Sequence, residues 1–185
     1  MEGLKSRSWR IAYLVLLFSC LEGTANALLS REEALTAAFP GAAIKLERLF
    51  LTDQQRQQVE LLAKVDVPSA LIARYSAVIG SKSVGRAYVD THIVRSKKQS
   101  LLICLDEEGK VKRIEATAFL EPAEYLASPS WYGQYRGRTL SNDLHLQRSI
   151  RSIAGATLTA RATNQAVRRV LAVDWVLRRH SERVP

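Results

Sequence analysis

Four short runs in the middle of the chain restrict its fold more than any other feature. "RYSAVIG", "VGRAYVDTHIV", "SLLICLD" and "KVKRIEATAF" are apolar or alternate between apolar and polar residues. Turn residues bound them, and "DEEGK" around Gly109 reads as the hairpin between the last two. This pattern predicts a small antiparallel sheet, twisted and half-barrel-like, in an α+β fold whose other layer is helical.

The helices are marked by their caps. In "LSREEALTAAFPGA", Ser30 precedes Glu33 by three residues, a spacing in which each side chain satisfies a free backbone N–H at a helix start. Ala34, Leu35, Ala38 and Phe39 form its apolar stripe, and Pro40 with Gly41 ends it. "IKLERLFL" reads as a strand, and "TDQQRQQVELLAKV" as a second helix capped by Thr52 or Asp53, with Val59, Leu62 and Ala63 facing inward. "LEPAEYLASPSWYGQYRG" mixes prolines, glycines and aromatics, so a wandering loop is expected, with one short helix from Ser130. A long helix closes the chain from about Thr157 to Arg179, with Leu158, Ala162, Ala166, Val170 and Leu171 at helical spacing and Arg161, Arg168 and Arg169 outside.

The first residues follow a different logic. "MEGLKSRSWR" is basic, "IAYLVLLFSCL" is apolar but short for a membrane span, and "TANA" places small residues at Ala25 and Ala27. This predicts a signal peptide over residues 1–27, cleaved after Ala27, and hence a periplasmic or otherwise extracytoplasmic protein. A lipoprotein site ending at Cys20 is the lesser alternative, because Phe18 is bulky for that position. Cleavage removes three basic and two acidic residues from a chain of formal net charge +9, leaving +8. That surplus suits an anionic membrane surface, an acidic protein or a phosphorylated ligand; export makes nucleic acid the least natural partner. Cys104, within "LLICLD", is then the one remaining cysteine and reads as a buried core thiol.

The segment that carries chemistry is "SIAGATLTARAT", Ser152 to Thr163. Ala154, Gly155 and Ala156 keep bulk away from the hydroxyls of Thr157 and Thr159 at the mouth of the last helix. A threonine cap, worth about 1 kcal/mol, accounts for a hydroxyl there. It does not account for the small residues. Gly155 permits positive φ and close approach of a ligand, and an anion at the helix start would meet unpaired N–H groups and the positive end of the dipole. Arg148, Arg151 and Arg161 could add charged hydrogen bonds. Spacing alone supports no more than anion binding, and three small residues near a threonine are common enough that on this evidence the plain cap is the reading to prefer.

"SIAGATLTARAT" followed by "NQAVRRVLAV" resembles the flavinylation segment of the FMN-binding domain family, which is found in the periplasmic flavin-carrying subunits of sodium-pumping NADH:quinone reductase and Rnf complexes. "GRAYVDTHIV", "LLICLDEEGKVKRIEATAFLEPAEY" and "WYGQYRGRTL" extend the likeness over roughly Val84 to Val173. After the signal peptide (1–27), the resemblance divides the chain into an N-terminal helix and strand segment (28–83) and an FMN-binding domain (84–180). It further implies FMN joined by a phosphoester to Thr157 by a separate flavin transferase, with Thr159 as the fallback acceptor and Glu121 near the flavin. The family motif has an acidic residue and a Ser or Thr at the positions held here by Arg151 and Ala154, and these departures bear on covalent attachment.

The expected function is therefore an exported flavoprotein that transfers electrons between membrane or periplasmic redox proteins, with membrane-surface association as a further expectation. A reductase with non-covalent FMN and a cofactor-free basic binding module are the alternatives. With no G-x-G-x-x-G fingerprint, the chain is not expected to oxidise NADH itself. Trp131, with Tyr132 and Tyr135, is a candidate to stack on the flavin or to anchor its loop. His92, His145 and His180 lack metal-ligand spacing, so no metal is assigned. Glu121 and Glu124 have no nucleophile beside them, which argues against hydrolysis.

Overall fold

The computed structural model describes residues 28–181; the expected signal peptide, with Cys20, lies outside them. The chain forms an α+β fold in which five antiparallel strands make one open sheet: β1 (Ala43–Phe50), β2 (Leu71–Ile79), β3 (Lys82–Ile93), β4 (Lys98–Leu105) and β5 (Val111–Phe119), in that spatial order. β1 and β2 thus join the strands that follow them, and position 84 falls inside β3.

Local chemistry sets the helix boundaries. α1 (Arg31–Ala38) starts with a reciprocal capping box between Ser30 and Glu33. α2 (Asp53–Ala63) starts with another between Thr52 and Gln55. α2 is an excursion between β1 and β2, and the chain leaves and rejoins the sheet at one point, where Leu51 N–H donates to the Ala70 carbonyl at 2.9 Å. In the loop after β5, α3 (Pro129–Tyr132) is a single turn capped by Ser128 and preceded and followed by 3-10 turns, starting one residue before the expected helix. α4 (Thr157–Ser181) closes the fold.

The two faces of the sheet are covered unequally. On one, α1 packs Ala34, Leu35, Ala38 and Phe39 over Ala77, Ala87, Leu102 and Cys104. Gly85 permits this approach: a Cβ there would lie 2.4 Å from the Leu105 carbonyl oxygen and 2.5 Å from the Phe39 ring. On the other face, α4 and α2 bury Val59, Ala63, Val167, Leu171 and Val176 against Leu101, Ile103 and Leu105. Burial pushes the Cys104 thiol up to about 12, which fits an inert core residue.

Two expectations about α4 are overturned. Arg168 is not on an outer face: it is 1% exposed, and it donates to the Ala63 carbonyl at the end of α2 and to the Ser141 and Leu144 carbonyls. Arg169 reaches the sheet and pairs with Asp90 at 2.7 Å. The helix lies between the sheet on one side and α2 with the 139–150 loop on the other, so more of its circumference is buried than a surface helix buries.

Candidate functional site

The site lies where α4 begins. Arg169 pairs with Asp90 and Asp174 with Arg86, so α4 runs antiparallel to β3, and its first turn sits beyond the Ile93 end of that strand. A four-residue turn leads into it, closed by Ala156 N–H to the Ile153 carbonyl at 3.2 Å, with Gly155 at φ +77. That positive φ is the third-position requirement of a type II turn, and it is why a glycine stands there; a Cβ would meet nothing within 4 Å.

α4 begins at Thr157, and the Ala156 carbonyl accepts the first helical bond, from Ala160 N–H. Thr157 is therefore the first helical residue, and the cap position belongs to an alanine whose side chain cannot bond. The N–H groups of Thr157, Leu158 and Thr159 find no acceptor among the described residues. The Thr157 hydroxyl is likewise without a partner, on an exposed residue. Thr159 differs. It is 1% exposed, and its hydroxyl donates to the Tyr125 carbonyl at 2.8 Å.

Thr157 borders two clefts. The first, about 250 Å³, is lined by Gly155, Ala156, Thr157, Leu158 and Thr159 on the helix side and by Val94, Arg95, Glu121 and Tyr125 opposite. Leu158, expected on the buried stripe of α4, is 44% exposed and contributes an apolar wall instead. The second, about 320 Å³, is basic: Lys64, His145, Arg161 and Arg168 line it with Thr157. Burial, together with the charges of Arg168, Arg148 and Lys64, holds His145 below the ordinary histidine value.

Glu121 closes the far side of the first cleft. Its Oε1 accepts from the backbone N–H groups of Arg95, Ser96 and Lys97 at 3.2, 2.7 and 2.7 Å, which fixes the β3–β4 turn. The bonds from Ser96 and Lys97 hold its carboxyl below the usual range. Glu124 is exposed and takes no part. Neither histidine, cysteine nor lysine lines this cleft, and Glu121 already serves three donors. Within this cleft Glu121 is the one carboxylate, and it is committed to the backbone of the β3–β4 turn; His145 lies in the second cleft that Thr157 borders.

Gly155, Ala156, Thr157, Thr159 and Glu121 are thus brought together from the sequence candidates. Ala154 is exposed in the turn and does not line the cleft. Trp131 stands apart from it as well. It packs edge-on against Tyr132 and Tyr135, each at 5.7 Å between centroids, and its indole N–H donates to the Arg151 carbonyl at 2.8 Å. Gln134 accepts from Arg151 N–H, so the two side chains hold the backbone leading into the glycine turn. Arg148 is occupied with Asp143 and the Asn142 carbonyl, whereas Arg161 lies beside Thr157.

The chain matches no family model, no curated protein and no solved structure. The site is therefore read from its own geometry. Val94, Arg95, Tyr125, Lys64 and His145 come to it from loops and strand ends distant in sequence, and only the basic run "RSKKQ" after β3 hinted at a charged turn.

Proposed function

We propose that this protein carries FMN at the start of α4, with the phosphate esterified to Thr157, and serves as an exported electron-transfer module. One observation carries the reading. A threonine hydroxyl without a partner among the described residues projects from the first residue of a 25-residue helix, beside three backbone N–H groups that likewise find no acceptor there, between an apolar cleft and a basic one.

The residues fit such a group. The N–H groups of Leu158 and Thr159, with Arg161 nearby, would hold a phosphate; Val94, Tyr125 and Leu158 would offer apolar surface to a ring. Glu121 keeps the β3–β4 turn, and with it Val94 and Arg95, in place opposite. FMN, when bound, supplies one- and two-electron chemistry, while the protein sets its orientation and exposure. Electrons would come from and go to other redox proteins at or near a membrane, and a flavin transferase would make the attachment, breaking the pyrophosphate bond of a flavin dinucleotide so that FMN passes to the hydroxyl and a nucleoside monophosphate leaves.

The test is production with a flavin transferase, followed by denaturing electrophoresis and intact-protein mass measurement. A fluorescent band with the added mass of FMN, lost in Thr157→Ala and kept in Thr159→Ala, is the expected result. Flavin released on denaturation would replace this reading with a reductase that binds FMN non-covalently, a role consistent with Arg151 and Ala154. A colourless protein would leave a basic binding module.

A further inference from the structure

β1 is an edge strand of eight residues, without proline or bulge, and nothing among the described residues pairs with its outer side. Three large apolar residues on it are open: Ile44 at 36%, Leu46 at 44% and Phe50 at 73%. A long unpaired edge is a template for another strand, and the charges on this one, Lys45, Glu47 and Arg48, restrict the register such a strand can take.

Which backbone groups face outward follows from the register. Leu51 N–H donates to Ala70, and the β1–β2 pairing continues without a shift from Phe50↔Leu71 to Ala43↔Val78. Hydrogen-bonded pairs recur at every second residue, so Ala43, Lys45, Glu47 and Leu49 bond to β2. The N–H and C=O groups of Ile44, Leu46, Arg48 and Phe50 therefore point away from the sheet.

We propose that two copies of the chain pair through β1, antiparallel, with Leu46 opposite Leu46 on the two-fold axis, to give one continuous sheet. Outward groups must meet outward groups, which removes every register that sets an even position against an odd one. Of the registers left near the middle of the strand, centring on Lys45 or Glu47 puts like charges opposite each other, and centring on Arg48 does the same. Centring on Leu46 instead sets Lys45 of each copy opposite Glu47 of the other, a complementary cross-strand pair repeated by the symmetry. Glu47 can take that partner. Arg74 and Ser76 both bond its Oε2, and its Oε1 has no partner among the described residues. Ile44 would lie against the alkyl stem of Arg48, and the two Leu46 side chains would cover each other.

Sedimentation velocity on the exported chain over a concentration series tests this, with circular dichroism confirming that each variant is folded. A reversible dimer is expected. Lys45→Glu, which places Glu opposite Glu twice, should weaken it about tenfold or more. Mixing folded Lys45→Glu with folded Glu47→Lys should restore a heterodimer, because each mismatch then meets its complement. In the full chain carrying Cys20→Ser, Leu46→Cys should form a disulfide-linked dimer on mild oxidation, and Lys45→Cys should not. A monomer at every concentration, a dimer indifferent to Lys45→Glu, or equal crosslinking at positions 45 and 46 would overturn the proposal.

Discussion

Thr157 and Thr159 are two residues apart on one helix and do opposite things. The first leaves its hydroxyl in the open; the second spends its hydroxyl on the Tyr125 carbonyl and locks the loop after β5 to α4. Thr159→Val should therefore destabilise the fold by about 1 kcal/mol, the cost of one lost hydrogen bond, whereas Thr157→Val should change it by less than about 0.5 kcal/mol. Urea denaturation of both variants measures the difference. The helix start and its glycine turn were legible in the sequence, but the plain threonine cap that spacing favoured was not borne out, because the turn at Gly155 places Ala156 at the cap and Thr157 inside the helix. The split between the two threonines was not legible there. It depends on Tyr125, some thirty residues earlier, whose approach no local pattern records.

At the scale of elements, α1, β1, α2 and the strand meander were readable because capping boxes and alternation are local signals. The setting of α4 was harder to read. Arg168 and Arg169 look like a wet face when only spacing is counted, yet Arg168 binds α4 both to the end of α2, by donating to the Ala63 carbonyl, and to the 139–150 loop, by donating to the Ser141 and Leu144 carbonyls. Burial disfavours its charge and lowers its pKa, but its fork of donors satisfies acceptors that no apolar side chain could. Arg168→Met should cost about 3 kcal/mol, because several carbonyls then lose their partner together. Arg168→Lys should recover less than half of this, since one ammonium cannot reach both sides. Thermal or urea unfolding of the two variants decides the matter.

For the molecule as a whole, ion pairs tie α4 to the sheet beside the apolar core they share, and these pairs give stability a dependence on acid. Asp90 is buried, which by itself would raise its pKa, but hydrogen bonds from His92 and Arg169 outweigh this and hold it at about 2, below its ordinary 3.8. A carboxylate depressed by folding stabilises above its unfolded value, and that contribution is lost as pH falls through the folded one. Stability should thus drop by on the order of 2 kcal/mol between about pH 4 and pH 2 from this group. Glu121, also lowered, adds loss in the same direction. Denaturation curves at stepped pH should show a shallower acid decline in Asp90→Asn than in the parent. The sheet that these ties clamp was foreseeable from alternation, whereas the ties themselves join positions far apart in the chain and left no trace in any short window.

The bond from Leu51 to Ala70 cinches the neck of the detour that holds α2. Because both ends of the detour are fixed to neighbouring strands, residues added or removed along its outer course change the length of a closed loop and do not slide β1 against β2. Strand alignment is thereby insulated from growth of that loop, and the detour is the place where this scaffold can take on new sequence.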